Sequence, residues 1–565
     1  MPNTTHTICL AGEAGQGLDT MGQLLAKGLV RSGYHILVLQ SYMSRIRGGH
    51  NYFSIRTGPQ EIHSPGEEID LLVALNKESV PLRQEELSES ALVIVNREHS
   101  QGLDLNHLAV PFEELAEKPI LQNVVALGCI AALLGLQQDI VSGLIQETLG
   151  KRHQELLEEN LEALAQGFEW AQKQKAEFPA LPKAKDQASR LTLSGNQAIS
   201  LGAMAAGVNF CSFYPMTPST GVALNLAAQM EHLGIVAEQA EDEIAAVNMA
   251  IGASFCGARS LVPTSGGGFA LMSEGISLAG MTETPLVIVL AQRPGPATGL
   301  PTRTEQGDLN LALYSGHGEF PRAVLAPGSP EECFHLTYQA LNLAERSQSP
   351  VIVLTDQYLA DSYRAVEPFD LEALPGLDRP LQEAESPSDY ARFAWSESGV
   401  SPRAFPGFGD QLVVADSDEH TPEGHITEDH GVRTRMVDKR RHKEQILIDA
   451  ALPPSVEGPD NPEILLLSWG SSKGAMLEAA ERLRQRGQSV ASMHFSQLWP
   501  LNPEHFLGVL QQSARVICIE SNAKGQLADL IRQQTGFHIQ ERIGRYDGLP
   551  LTAGYILKRV SSESS

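Results

Sequence analysis

Glu238, Glu241, Asp242 and Glu243 stand at the head of a run rich in small residues, Ala245, Ala246, Ala250 and Gly252. Carboxylates in the first turn of a helix are stabilised by its dipole, which is reason enough for them to be there. One of them is equally placed to hydrogen-bond a ligand at the helix start. Upstream, Tyr214-Pro215-Met-Thr217-Pro218-Ser219-Thr220 closes an apolar run. Its two prolines fix φ and withdraw donors, so Thr217 is held at the strand edge where open α/β sheets take ligands. Thr264-Ser265-Gly266-Gly267-Gly268 follows another apolar run, and its glycines let backbone amides approach a ligand closely. The loop 293–308 sets Arg293 and Arg303 among Pro294, Pro296 and Pro301. A fixed guanidinium suits a carboxylate; an ordinary surface loop is the other reading.

Two further clusters lie near the start of the chain. Gly12-x-x-Gly15-x-Gly17 follows an apolar run and either cradles a phosphate or diphosphate or forms a plain βα turn. It lacks the G-x-G-x-x-G order, and no acid closes the next run, 37–40. Ser44-Arg45-Ile-Arg47-Gly48-Gly49-His50 offers two guanidinium groups to an anion or a partner, or is a solvated basic turn. His420, His425 and His430 lie among Asp418, Glu419, Glu423, Glu428 and Asp429, residue types that suit a divalent ion. Their even five-residue spacing fits neither a helix face nor a zinc pattern, so a solvated or interface loop is preferred and no metal is expected. The 6 cysteines are scattered singly without a C-x-x-C spacing, which argues against a zinc or iron–sulfur site on this chain alone.

The elements that must position these residues are legible in the hydropathy. Apolar runs at 7–11, 35–39, 70–75 and 91–95, with helical patterns at 18–29 and 123–136, open a parallel α/β layer. A charged helix from 155 runs into a Pro/Lys/Ala linker before 185. A second α/β unit has strands at 210–214, 259–263, 285–290 and 350–354, alternating with helices at 242–253 and 269–278. Unbroken Val/Ile/Leu runs suit parallel strands covered on both faces. From 374 to 443 the pattern dissolves into Pro, Gly, Ser and charge; strands at 463–469 and 515–519 then mark a third α/β unit.

At ~100–200 residues per domain, 565 residues make three or four domains with ample core. The net charge of −26 argues against nucleic acid or an anionic membrane as partner. No secretory signal or spanning stretch is visible, which makes the expected location cytoplasmic.

Tyr-Pro-Met-Thr-Pro-Ser-Thr, the Glu-Asp-Glu-Ile-Ala-Ala helix, Thr-Ser-Gly-Gly-Gly-Phe and Thr-Gly-Leu-Pro-Thr-Arg-Thr-Glu-Gln together resemble the alpha subunit of 2-oxoacid:ferredoxin oxidoreductases. The stretch to about residue 175, with Gly-Glu-Ala-Gly-Gln-Gly and Arg-Ile-Arg-Gly-Gly, resembles that family's gamma domain fused ahead of alpha. It departs from the family's usual Gly-Gly-Gln-Gly at Glu13 and Ala14. In the 401–440 region, Ser401-Pro-Arg-Ala-Phe-Pro-Gly407, residues 418–429 and Met436-Val-Asp-Lys-Arg440 look most like the 2-oxoglutarate branch. The resemblance implies an α/β protein of three parallel-sheet domains. These are a gamma domain (1–180), a thiamine-enzyme pyrimidine-binding domain (190–373) and a transketolase C-terminal-like domain (456–565), with an irregular insert at 374–455.

The resemblance also implies half an active site. The alpha chain would hold the aminopyrimidine of thiamine diphosphate, and a beta subunit its diphosphate, Mg²⁺ and a [4Fe–4S] cluster; this chain accordingly lacks the Gly-Asp-Gly diphosphate motif. Nine positions before Gly252, Glu243 is the implied partner of the ring nitrogen N1′, with Glu241 the alternative. A carboxylate there favours the imino tautomer that takes up the coenzyme's C2 proton. Thr217 is implied near the reacting keto group and Arg303 on the substrate carboxylate, with Tyr214, Pro215, Ser265 and Gly266 beside the cofactor. Gly12, Gly15 and Gly17 would serve the gamma domain's ligand. The implied reaction is CoA-dependent oxidative decarboxylation of a 2-oxoacid, first 2-oxoglutarate to succinyl-CoA and CO2, with electrons to ferredoxin, in a heterodimer or heterotetramer. Pyruvate- or indolepyruvate-type enzymes are the alternatives, as is a thiamine-independent nucleotide- or acyl-binding module built on the 12–17 turn. The cations Arg433, Arg435, Lys439, Arg440 and Arg441 stay open between a second substrate carboxylate and the beta chain.

Overall fold

The apolar runs spaced along the chain become the central strands of three sheets. The structure, a computed structural model, describes residues 5–13, 15–42, 49–116, 118–149, 156–174, 176, 178–184, 189–378 and 390–562. Packing divides the chain into two units, Met1–Ser194 with Asp361–Phe369, and Gly195–Ala360 with Asp370–Ser565. Among the described residues no helix is long and apolar enough to cross a membrane.

The first unit holds β1 (His6–Glu13), β2 (His35–Ser41), β3 (His50–Gly58), β4 (Ile69–Ala74), β5 (Leu87–Asn96), β6 (His107–Val110), β7 (Leu191–Ser194) and β14 (Tyr363–Val366). They form one sheet in the order β6-β5-β4-β1-β3-β2-β14-β7. The β6-β5-β4-β1 half is parallel, as its unbroken apolar runs require. The other half is not, because β3 lies antiparallel between β1 and β2, and β14 antiparallel between β2 and β7. The sequence gives β3 no apolar run to announce it: His50, Asn51, Ser54 and Arg56 are partly buried, while Phe53, Ile55 and Thr57 face inward. That is a half-covered strand's alternation, weak in hydropathy and strong in packing.

In the second unit a seven-stranded sheet has β8 (Phe210–Phe213), β9 (Val236–Gln239), β10 (Ser260–Thr264), β11 (Leu286–Gln292), β12 (Ala323–Leu325), β13 (Pro350–Asp356) and β18 (Gln497–Trp499). Its order is β18-β12-β13-β11-β10-β8-β9, parallel except for β18. A five-stranded sheet in the order β15-β17-β16-β19-β20 uses β15 (Ser455–Glu457), β16 (Ile464–Trp469), β17 (Val490–Phe495), β19 (Arg515–Glu520) and β20 (Glu541–Gly544). Only β15 runs against the rest. One core spans both sheets, from Ala246, Phe269 and Ile288 to Trp469, Phe495 and Phe506. In the larger sheet the chain passes from β8 to β9 on one side and then to β10 on the other, which opens a crevice between the carboxyl ends of β8 and β10.

The 374–455 region departs from the expected irregular insert, because it contains the 20-residue helix His430–Asp449. Its buried stripe is Met436, Lys439, Arg440, Lys443 and Leu447, helical in spacing but mostly cationic, so a hydropathy pattern cannot reveal it. Lys439 and Lys443 reach the fully buried Glu283 at 2.8 and 3.0 Å, and Arg440 reaches Glu419 at 2.9 Å. Arg392 donates to the Thr282 and Glu283 carbonyls, and Lys443 to that of Gln348. Glu283 and Gln348 lie just before β11 and β13, at the amino ends of those strands. The crevice is at the carboxyl ends, seven residues or about 20 Å away. Lys439 and Arg440 are therefore internal anchors and not ligands of a substrate in that crevice.

Candidate active site

Four turns meet at the carboxyl edge of the seven-stranded sheet. Asp242, extended at φ −151°, caps the helix Glu243–Phe255 by accepting the Ala245 N–H at 2.7 Å. That cap turns the next residue inward, so Glu243 is buried whereas Glu241 is exposed. The Oε1 atom of Glu243 is buried without a hydrogen-bond partner. Its carboxyl lies across the turn after β10: a Cβ on Gly268 would stand 2.7 Å from Oε1 and 2.4 Å from the Thr264 hydroxyl. Only glycine fits at 268. Ser265, fully buried, also has an Oγ with no partner.

The turn after β8 places Thr217 half-buried, with Tyr214 and Pro215 exposed at the rim. Strand β11 ends in the buried Gln292, whose Oε1 accepts the Asp308 N–H at 2.9 Å. Arg293 follows and donates from Nη1 to the Thr217 carbonyl at 2.8 Å. Burial pushes the Asp308 carboxyl up to about 6, against the pull of Arg293. Asp308 in turn crowds Gly266, where a Cβ would lie 2.4 Å from its Oδ2. Thr217, Arg293, Asp308, Gly266, Gly268 and Glu243 thus adjoin one another around the crevice between β8 and β10. Arg303 is half-buried; it donates to the Thr302 carbonyl at 3.0 Å, and its stem lies against Gly548. Gln292 and Asp308 received no role from the sequence, which offered Arg293 only alongside Arg303 as a guanidinium for a carboxylate; the signal for Gln292 is a polar side chain closing an otherwise unbroken apolar strand.

In the first unit, Gly15 and Gly17 take positive φ, 95° and 71°, and Gly17 starts the helix Leu18–Arg31. The Gln16 side chain folds back to accept the Glu13 N–H at 2.7 Å. Gly15 and Gly17 line a largely apolar cavity of about 620 Å³ with Met21, Leu24, Phe112 and Asn123. Arg45 and Arg47 lie outside the described residues. In the histidine-rich segment, His420 is buried against Phe393 at 4.0 Å, and its Nδ1 pairs with the Asp418 carbonyl. Asp429 caps the helix His430–Asp449. No group of histidine, cysteine and carboxylate side chains among the described residues is arranged to hold a metal ion.

With the site in place, comparison with known proteins gives its family. Residues 201–439 match the family described as pyruvate flavodoxin/ferredoxin oxidoreductase, thiamine diphosphate-binding, and residues 7–170 match pyruvate ferredoxin/flavodoxin oxidoreductase. The chain is 31% identical to a 2-oxoacid:ferredoxin oxidoreductase subunit alpha of Sulfolobus over 96% of this chain and 94% of that one. It is 30% identical to the 2-oxoglutarate oxidoreductase subunit KorA of Mycobacterium tuberculosis, over 93% and 86%. Among solved structures, a 2-oxoglutarate:ferredoxin oxidoreductase from Magnetococcus marinus with 2-oxoglutarate, coenzyme A and succinyl-CoA bound matches all of both chains at TM-score 0.92 and 31% identity. The chain belongs to the alpha subunits of the 2-oxoacid:ferredoxin oxidoreductases.

Proposed function

We propose that this chain, with a partner subunit, converts 2-oxoglutarate and coenzyme A to succinyl-CoA and CO2 while reducing ferredoxin. The partner would carry the diphosphate site, Mg²⁺ and the [4Fe–4S] cluster. Thiamine diphosphate, when bound, supplies the electron sink that decarboxylation of a 2-oxoacid needs. The observation that carries the reading is the unpartnered, buried Oε1 of Glu243. A buried carboxylate oxygen left unpaired is costly, and a protonated ring nitrogen is the donor it lacks. Glu243 would accept a hydrogen bond from that nitrogen; Ser265 and the 266–268 turn bound the space beside it. Asp242 keeps the Glu243 carboxyl aimed inward.

Thr217 offers a hydroxyl at the mouth. Two cations compete for the role of substrate clamp, Arg293 and Arg303. The hydrogen bond from Arg293 to Thr217 favours Arg293, since it puts the guanidinium on the strand turn that bears the hydroxyl. Exposed apolar residues on the same turns and helices, Tyr214, Ile244, Leu271 and Leu300, give the partner subunit a surface to cover. The cavity at the Gly15–Gly17 turn, mostly apolar with a helix amino terminus at one side, suits the mixed chemistry of coenzyme A.

The test is co-production with the partner subunit and an assay of viologen reduction that requires both coenzyme A and a 2-oxoacid. Turnover of 2-oxoglutarate that disappears in Glu243→Gln supports the reading; full activity in that variant overturns it. Preference for pyruvate or indolepyruvate would move the assignment to another branch of the family.

A further inference from the structure

The loop after β11 alternates along its last stretch. Thr304 and Gln306 are buried, whereas Arg303, Glu305 and Asp308 are only partly so. Gln306, with no exposed surface, enters the crevice between the carboxyl ends of β16 and β19. In the five-stranded sheet this is where the strand order reverses, since β17 lies on one side of β16 and β19 on the other. Sheets of this kind hold a ligand at that point. Here the crevice holds a side chain of the same polypeptide.

Every polar group of Gln306 is used. Its Nε2 donates to the Trp469 carbonyl at 2.9 Å, and its Oε1 accepts from the Ser472 hydroxyl at 2.7 Å and the Ser521 N–H at 2.8 Å. Its own N–H donates to the Ser521 carbonyl at 2.7 Å, and its carbonyl accepts from Asn522 Nδ2 at 3.1 Å. Gly470, at φ 53°, leaves the space: a Cβ there would stand 2.9 Å from Gln306 Nε2. Two residues earlier, Thr304 donates its N–H to the Gly548 carbonyl at 3.2 Å and its hydroxyl to Asp356 at 3.2 Å. Asp356 also accepts from Ser471 at the end of β16. The inward-facing positions of the loop are thus bound to the smaller sheet or to the end of β13, and the positions between them carry the charges.

We propose that the five-stranded sheet uses its ligand crevice as a socket for Gln306, and that Gln306 is a positioning residue for the 2-oxoacid carboxylate. It would act by fixing Arg303 on one side and Asp308, with Arg293 beyond it, on the other. The inference rests on the reading above that these groups face the substrate. It gives the five-stranded sheet a part in specificity. A carboxylate clamp works only if its geometry is set before the substrate arrives, and a misplacement of about 1 Å is enough to cost a large factor in rate.

The experiment uses the full chain with its partner subunit. Gln306→Ala, and the milder Ser472→Ala that removes one donor to Oε1, should raise KM for the 2-oxoacid about tenfold or more and leave KM for coenzyme A unchanged. A merely structural residue would lower the active fraction, and so kcat, for every substrate alike. Gln306→Glu supplies a second signature: its carboxyl can donate to the Trp469 carbonyl only when protonated, so its KM for the 2-oxoacid, taken as a ratio to that of Gln306→Ala at the same pH, should fall as pH falls. Hydrogen exchange of the full chain tests the socket apart from activity. Amides of residues 304 and 306 should be strongly protected and lose at least tenfold of that protection in Gln306→Ala, while β16 and β19 keep theirs. Unchanged exchange at 304 and 306, or KM values that do not separate the two substrates, overturns the inference. A wild-type complex that oxidises no 2-oxoacid would instead remove the functional reading, and the exchange result would still decide whether the socket holds the loop.

Discussion

A single carboxyl that burial pushes up to about 6, Asp308, lies within the influence of the guanidinium that touches the Thr217 turn. If Arg293 is the clamp proposed above, Asp308 below that pH is neutral and leaves it free for a substrate carboxylate; above it, the two carboxylates compete. KM for the 2-oxoacid should therefore rise as pH climbs through about 6, and the step should vanish in Asp308→Asn, as a pH series of initial rates would show. The two arginines can be separated the same way. Lysine cannot reproduce a two-pronged hold on a carboxylate, so Arg293→Lys should lower kcat/KM by roughly 100-fold and Arg303→Lys by less. The reverse order in a side-by-side kinetic comparison would return the clamp to Arg303. Asp242, Glu243 and the Glu241 alternative show how fine the decision is. Three adjacent acids are indistinguishable by composition, and one cap hydrogen bond buries the last of them.

At the scale of elements, the helix His430–Asp449 is bound through charge instead of apolar area. Burial alone would raise the Glu283 carboxyl, but Lys443, Lys439 and Arg392 outweigh it and hold it well below the usual carboxylate range. Burial lowers Lys443 to about 8, with Glu283 opposing. Removing this buried anion strands the Lys439 and Lys443 ammonium groups, so Glu283→Gln should destabilise the protein by about 3–5 kcal/mol, read as a lowered Tm or denaturant midpoint. A depressed carboxyl pKa contributes stability that is complete above its unfolded value of about 4.5 and is lost as pH falls below it. The wild type should accordingly weaken in acid through a component that Glu283→Gln lacks, measurable as the difference between their stability–pH curves. Such a helix escapes sequence reading because its inward stripe has the right period and the wrong polarity.

On the function proposed above, the whole molecule presents half a catalytic centre. The rim around Glu243 keeps Ile244 at 48% and Leu271 at 53% exposed, apolar surface that a partner would remove from water. Ile244→Glu should weaken co-purification with the partner subunit while leaving the Tm of the isolated chain within about 1 °C, since surface substitutions change stability little. Unaltered assembly in that variant, measured by analytical ultracentrifugation, would place the interface elsewhere.

The apolar strands β1, β4, β5, β11, β13, β16 and β19, and the motifs at 214–220, 238–243 and 264–268 could be read from the chain, because each is a local pattern of period, turn chemistry or charge. The family could be read from those motifs in combination. Tertiary structure alone decided which acid turns inward, that Arg293 rather than its neighbours bonds the Thr217 turn, that β3 runs antiparallel in the first sheet, and that a stripe of cations is buried. It also decided that Gln306 fills the crevice of another sheet. Each of these depends on a partner distant in the chain, through a carbonyl, a carboxylate or the room left by a glycine, and no local spacing encodes such a partner.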